Sequence, residues 1–210
     1  MESRSQTGSA KQAQKEEFLG GYALIVVDMI KDNVNTKNHG MIDVAAKKII
    51  PNILELSRVF RGNGGRIVFA CDSFMEGDFI FGGRMKPHAI RGTRGDHPID
   101  ELEMDPSDLF LPKRRMSSFY KTDLDQTLRT WGVHTVAVCG IVTNVCVLLT
   151  AIDAIQNDFR SIIVSDASTC HKPEIHEKTL ELYSQMPLEP LFRIMSTADV
   201  AKEIEESALT

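Results

Sequence analysis

The stretch HTVAVCGIVTNVCVLLTAIDA, residues 134–154, predicts a strand, a turn and a helix in succession. Thr135 to Cys139 is a short apolar and β-branched run closed by Gly140, which is typical of a buried parallel strand. Apolar residues then recur at helical spacing, and Thr143 or Asn144 is suited to cap the helix. A strand that runs directly into a helix is the building unit of α/β folds.

Cys146 falls in the first turn of this predicted helix. Unpartnered backbone N–H groups and the positive end of the helix dipole favour a thiolate at such a position, and a thiolate is a nucleophile. The same N–H groups could bind an oxyanion. The alternative is a core cysteine, because cysteine is among the most buried residue types.

Length and charge limit the functions to be considered. The chain has 210 residues, 42% of them hydrophobic, which suits one well-buried domain, and a formal net charge of −5. The negative charge argues against nucleic acid or an anionic membrane as partner, and no apolar run approaches the roughly 20 residues of a membrane span. The four cysteines form no CxxC pair and follow no secretory signal, which predicts a cytoplasmic protein.

Residues 1–19 are predicted to be a disordered tail, because they are polar and nearly free of large apolar side chains. Strands alternate with helices through residues 20–210 without hairpin signals, which predicts one α/β domain with a parallel sheet covered on both faces. In the predicted helix over residues 42–60, Pro51 should cause a kink or a break. Residues 73–106 form a long irregular segment, which usually makes a site or a lid. The predicted strands are Tyr22–Val27, Arg66–Cys71, Leu109–Leu111, Thr135–Cys139, Ser161–Ser165 and Phe192–Met195.

Polar side chains follow several of these strands. Asp28 comes after five apolar residues, at the strand end where ligands bind in open α/β sheets, although an aspartate there can also cap a loop. Lys113 lies just past the third strand, although a lysine beside two arginines is ordinarily a solvated surface residue. If the first and fourth strands are neighbours, Asp28 and Cys146 face one crevice.

These three groups have complementary chemistry. A thiolate attacks a carbonyl carbon, a carboxylate takes the thiol proton and returns it to the leaving amine, and an ammonium orients the carboxylate. A site without histidine is unusual for a cysteine nucleophile, but a carboxylate can serve as base when the thiol pKa is already lowered.

Four stretches together resemble a known family, the isochorismatase-like cysteine hydrolases, which include nicotinamidases, N-carbamoylsarcosine amidase and ureidoacrylate amidohydrolases. The resemblance implies that family's doubly wound α/β fold, for which we predict a six-stranded parallel sheet of order 3-2-1-4-5-6 with helices on both faces. Homodimers or homotetramers are also expected. The stretches are ALIVVDMIKD (23–32), PHAIRGTRG (87–95), KRRMSSF (113–119) with KTDL (121–124), and GIVTNVCVLLTAIDA (140–154).

By this resemblance Asp28, Lys113 and Cys146 correspond to the family's catalytic triad. It also implies a cis peptide bond between Ile141 and Val142, which directs the backbone N–H groups of Val142 and Cys146 at the oxyanion. Family members that hydrolyse the vinyl ether of isochorismate lack the cysteine. Its presence here implies cleavage of a C–N bond, in a small amide or ureido compound, through an acyl-enzyme.

Nicotinamidases of the family bind a metal through an Asp-x-His pair after the second strand and a histidine before the GTxG motif. Here the sequence after that strand is Asp72-Ser73-Phe74, so only Asp72 and His88 match, and two protein ligands make a poor metal site. We therefore predict no metal and no cofactor. A metal-dependent nicotinamidase and a catalytically idle binding or scaffold protein remain as alternatives.

Residues near the presumed site are candidates for substrate binding. We consider His88, Arg84, Phe74 and Asn144 the candidate contacts. An arginine could hold a substrate carboxylate in bidentate fashion, as a carbamoylated amino acid or a ureido acid would require. The arginines in or beside the site are Arg84, Arg91, Arg94, Arg114 and Arg115.

Overall fold

The computed structural model describes residues 21–34 and 41–207. The tail predicted for residues 1–19 lies outside the described residues, and so do residues 20, 35–40 and 208–210 of the predicted domain. The strands are β1 (Tyr22–Val27), β2 (Arg66–Asp72), β3 (Leu109–Lys113), β4 (Thr135–Ile141), β5 (Arg160–Thr169) and β6 (Phe192–Met195). The α-helices are α1 (Lys31–Val34), α2 (Met41–Gly62), α3 (Leu124–Thr130), α4 (Leu148–Gln156), α5 (Pro173–Ser184) and α6 (Thr197–Ser207).

All six strands pair in parallel in the order β3-β2-β1-β4-β5-β6, which confirms the predicted sheet. One core lies between the sheet and α2 with α6, and a second lies between the opposite face and α3 with α4. Every residue of β4 is buried, because this central strand has helices over both of its faces. The helices on both faces were also predicted correctly.

Strands β1 and β4 approach each other closely where both end. Val27 pairs with Gly140 at the end of the ladder. Gly140 has φ +109°, and a Cβ atom added there would lie 2.2 Å from the carbonyl oxygen of Val27. Only glycine fits this contact, so the two strand ends that precede Asp28 and Cys146 are held side by side.

Helix α2 runs without interruption through Pro51. The predicted break is therefore wrong. Pro51 is exposed, whereas Ile49 and Ile53 on either side are buried in the core. Pro51 thus lies on the solvent side of the helix, and packing of the apolar face holds both halves of the helix in one element.

The segment between β2 and β3 is largely irregular, as predicted, with short 3₁₀ helices at Phe79–Gly82 and Asp100–Leu102. Its backbone is held over the end of β1, since the N–H of Lys31 donates to the carbonyl of His97 at 3.0 Å. This brings residues 84–88 to the carboxyl edge of the sheet. Among the described helices, none combines the length and the apolar character needed to cross a membrane.

Candidate active site

Four buried functional groups meet at the carboxyl edge of the sheet. Asp28 follows β1, Asp72 ends β2, Lys113 ends β3 and Cys146 lies in the turn after β4. Parallel neighbouring strands end at the same edge, and Asp72 pairs directly with Lys113 in the β2–β3 ladder. The sheet order thus brings together the three residues expected to form the triad and adds Asp72 to them.

The Lys113 ammonium is completely buried and has three acceptors. Nζ lies 2.8 Å from Asp28 Oδ2, 2.5 Å from Asp72 Oδ1 and 3.3 Å from the carbonyl oxygen of Arg115. Burial alone would lower the pKa of Lys113, but the Asp28 and Asp72 carboxylates raise that pKa well above its ordinary value. Lys113 therefore stays charged, and it is not the solvated surface residue that its arginine neighbours would suggest.

The Asp28 carboxylate is held at both oxygens. Oδ2 accepts from Lys113, and Oδ1 accepts from the backbone N–H of Asp72 at 2.8 Å. Asp28 itself has φ 54°, with its N–H donating to Ala70 and its carbonyl accepting from Asn33. Burial and the nearby Asp72 raise the pKa of Asp28 to about 7, although Lys113 opposes them. A carboxylate with this pKa is suited to accept and return a proton near neutral pH.

Cys146 lies against this ion pair. Its Sγ atom and one oxygen each from Asp28 and Asp72 lie within 4.8 Å of one another, and the Sγ is 3.9 Å from Met116 Sδ. Burial raises the pKa of the Cys146 thiol well above its ordinary value; Lys113 lowers it, and both carboxylates add to the increase. Our expectation of a thiol pKa already lowered by the helix terminus is therefore wrong, because the sequence reasoning omitted burial and a second carboxylate.

The turn that carries Cys146 also differs from the predicted first turn of an α-helix. Thr143–Val147 is π-helical, with the N–H of Val147 bonded to the carbonyl of Val142 at 3.3 Å, and no side chain caps it. The predicted capping role of Thr143 or Asn144 is wrong, since Thr143 Oγ1 instead lies 2.8 Å from His176 Nδ1 on α5. π-helical turns are rare, and those that occur often lie at functional sites.

The backbone before this turn has the expected isomer: the peptide bond between Ile141 and Val142 is cis. Both residues line the cavity above Cys146. The assignment of the Val142 and Cys146 N–H groups to an oxyanion remains a prediction.

A cavity of about 520 Å³ opens above Cys146. This volume is in the range of small-molecule sites. Asp28, Asp72 and Cys146 form its floor, where all three are buried. Further lining residues include Asn33, Arg84, Lys86, His88, Met116, Asn144 and His171.

Three of the four predicted substrate contacts line this cavity, namely Arg84, His88 and Asn144. Phe74 does not. Its side chain is completely buried and packs edge-on against Phe81 and His88, with ring centroids 5.2 Å and 5.5 Å away. The prediction of direct substrate contact by Phe74 is therefore wrong, because the segment after β2 turns this ring into the core.

Sequence reasoning missed several residues of the site. Asp72 was considered only as a possible metal ligand, yet it follows the same strand-end rule as Asp28 and binds Lys113. Met116 lies three residues after Lys113 in a stretch that carried the family resemblance, but nothing local marked it. For Lys86 and His171, which line the cavity, no sequence signal was available.

The donor groups at the site do not fit the metal site of the family's nicotinamidases. Asp72 directs an oxygen at the Lys113 ammonium, whose positive charge would repel a cation. Phe74 occupies the position of the histidine in the Asp-x-His pair of the nicotinamidases. Its buried side chain has no atom that can bind a metal. His88 Nδ1 lies 2.9 Å from the carbonyl oxygen of Lys86. Two matching ligands, one of them bonded to a lysine, are a poor set for a transition metal.

Comparison with known proteins agrees with this geometry. Residues 22–198 match the family model described as Isochorismatase domain. Ureidoacrylate amidohydrolase RutB of Pantoea ananatis (strain LMG 20103) is 31% identical over 182 residues, which cover 74% of this chain and 72% of that protein.

Two solved structures are similar over most of their length. N-carbamoylsarcosine amidase from Thermoplasma acidophilum has a TM-score of 0.72 and 28% identity, covering 84% of this chain and 96% of that chain. The pyrazinamidase of Pyrococcus horikoshii in complex with zinc has a TM-score of 0.72 and 31% identity, covering 84% of this chain and 99% of that chain. The site at the carboxyl edge, the sheet order and these matches lead to one conclusion: the chain belongs to the isochorismatase family of hydrolases.

Proposed function

We propose that this protein is a cysteine-dependent amidohydrolase that cleaves a C–N bond of a small amide or ureido compound. The observation that carries the proposal is the buried Lys113 ammonium, bonded to Asp28 and Asp72 directly beside Cys146 at the floor of the cavity. Two relatives are named as an amidohydrolase and an amidase, which supports this bond class.

In the first half of the proposed reaction, Cys146 Sγ attacks the carbonyl carbon while Asp28 takes the thiol proton. The backbone N–H groups of Val142 and Cys146 are assigned to the oxyanion. When the tetrahedral intermediate collapses, the C–N bond breaks and Asp28 gives the proton to the leaving nitrogen. The products are ammonia or an amine and an acyl-enzyme on sulfur.

In the second half, Asp28 takes a proton from water as the water oxygen attacks the acyl-enzyme carbon. The C–S bond breaks, and the proton returns to Cys146. An amide yields a carboxylic acid, and a ureido compound yields a carbamic acid that decomposes to carbon dioxide and an amine or ammonia. Lys113 remains charged throughout and orients Asp28.

The test is ammonia release from a panel of nicotinamide, N-carbamoyl amino acids, ureidoacrylate, biuret and simple amides, each measured with and without chelator. Wild type should release ammonia from at least one compound, and Cys146→Ala should release none while keeping its fold. Release by Cys146→Ala at the wild-type rate would overturn the mechanism.

The same panel separates the two alternatives. A metal-dependent nicotinamidase would hydrolyse nicotinamide alone and lose that activity in chelator. A catalytically idle member of the fold would hydrolyse nothing, and its Cys146 thiol would react sluggishly with alkylating reagents at neutral pH.

A further inference from the structure

Two cations stand at the mouth of the cavity. Arg84 and Lys86 both line it, and both are exposed residues. Within residues 21–34 and 41–207, neither side chain makes a hydrogen bond or an ion pair. Both charged groups are therefore available to a molecule that enters the cavity.

Arg91 and Arg114, two other arginines near the site, have hydrogen-bond partners. Arg114 donates to both carboxylate oxygens of Asp78, at 3.1 Å and 2.5 Å. Arg91 donates to the hydroxyl and the carbonyl of Ser73, at 3.1 Å and 3.4 Å. Of the arginines that the sequence placed in or beside the site, Arg84 is the one that lines the cavity.

The charge of the cavity is opposite to that of the chain. The floor has two carboxylates, from Asp28 and Asp72, and the Lys113 ammonium lies beneath them. Arg84 and Lys86 add two positive charges at the mouth, so these groups sum to +1 when both carboxylates are ionised and the lining histidines are neutral. The whole chain has a formal charge of −5. A positive cleft with low-dielectric walls in a negative protein selects an anion, and a single positive charge matches a monoanion.

We propose that Arg84 and Lys86 form a subsite for the carboxylate of the substrate, which is therefore a small amide or ureido acid rather than a neutral amide. The carboxylate lies at the mouth, and the C–N bond reaches Cys146 at the floor. A guanidinium matches a carboxylate in bidentate geometry, and a neighbouring ammonium adds a point charge. This inference rests on the proposed function, since it places the substrate across the same cavity.

One test needs no knowledge of the substrate. Iodoacetate and iodoacetamide are alkylating reagents of similar size that differ in charge, and their rates at Cys146 can be followed by peptide mass mapping. The quantity compared is the iodoacetate rate divided by the iodoacetamide rate, measured for Cys146 and for glutathione. In wild type this ratio should be about tenfold higher at Cys146 than for glutathione, since tenfold is the lower end of the rate enhancement by a charged cleft. Added salt should reduce the ratio.

Variants assign the effect to the subsite. In Arg84→Gln/Lys86→Gln the ratio should fall to the glutathione value, while Arg58→Gln, at an exposed arginine of helix α2 outside the cavity lining, should keep the wild-type ratio. An equal ratio in wild type and the double variant would overturn the proposal.

A matched substrate pair separates this proposal from the proposed function. N-carbamoyl-β-alanine and its methyl ester share the ureido group but differ in charge. Cysteine-dependent hydrolysis that favours the acid in wild type, and loses this preference in Arg84→Gln/Lys86→Gln, would support the subsite. Cysteine-dependent hydrolysis with no preference for the acid would refute the subsite and leave the amidohydrolase intact, whereas equal hydrolysis by Cys146→Ala would refute the amidohydrolase itself.

Discussion

Lys113 Nζ lies 2.8 Å from Asp28 Oδ2 in a position where the lysine side chain has no exposure to solvent. The ion pair is therefore part of both the core and the candidate active site. Asp72 binds the same ammonium, so one cation neutralises part of the charge of two buried carboxylates. This relationship determines how stability and activity should respond to substitution and to pH.

Replacing Lys113 should destabilise the fold strongly. In Lys113→Met, Asp28 and Asp72 face each other without their shared cation, and breaking a buried ion pair typically costs about 3 to 5 kcal/mol. Urea unfolding at neutral pH measures the loss. Lys31→Met is the matched control, because Lys31 pairs with Asp100, a highly exposed side chain, and its loss should change stability little. Equal stability of Lys113→Met and wild type would contradict the described pair.

Activity should rise with pH as Asp28 ionises. Its pKa is raised to about 7 by burial and by Asp72, and the base must be ionised to accept the thiol proton. Below that pKa, kcat/KM should fall about tenfold per pH unit. Asp28→Asn should lose activity by about a hundredfold or more, the contribution of a general base. The control Asp100→Asn should keep the wild-type profile. An acidic limb near pH 4 would instead indicate a base with an unshifted pKa.

The same pKa shift should lower stability as pH rises. The pKa of Asp28 is near 3.8 in an unperturbed chain and about 7 in the fold, so between these values the folded state holds a proton that the unfolded state has lost. The stability from this group is complete below about pH 4 and is lost as pH rises through about 7. The free energy of unfolding of wild type should therefore fall relative to that of Asp28→Asn across this window. A difference that stays constant or grows with pH would show that the Asp28 pKa is not raised.

Gly140→Ala should damage both the fold and the site. The added Cβ would lie 2.2 Å from the carbonyl oxygen of Val27, at a φ of +109°. A substitution into such a conformation should cost more than about 1 kcal/mol and separate the strand ends that position Asp28 and Cys146. Gly62→Ala is the control, because nothing lies within 4 Å of its added Cβ. Unfolding curves and ammonia release should both distinguish the two variants, and equal behaviour would contradict the close contact.

Features set by local patterns were predictable from the sequence. Each buried strand is a run of apolar residues, and Asp28 and Lys113 stand where such runs end, so parallel pairing brings them to one edge. The motif around Cys146 indicated the family, whereas its role as nucleophile stays a prediction. The strand predictions succeeded because strand burial and strand-end position depend mainly on neighbouring residues in the chain.

The tertiary structure alone decided what surrounds each of these groups. Asp72 turns to the Lys113 ammonium, Phe74 turns into the core, and burial raises the pKa of Cys146 where its helix position suggested the reverse. Arg84 has no hydrogen-bond or ion-pair partner among the described residues, whereas Arg114 is bound to Asp78, 36 residues earlier in the chain. Hydrogen bonding and desolvation depend on which distant side chains reach the same point, and no local pattern contains that information.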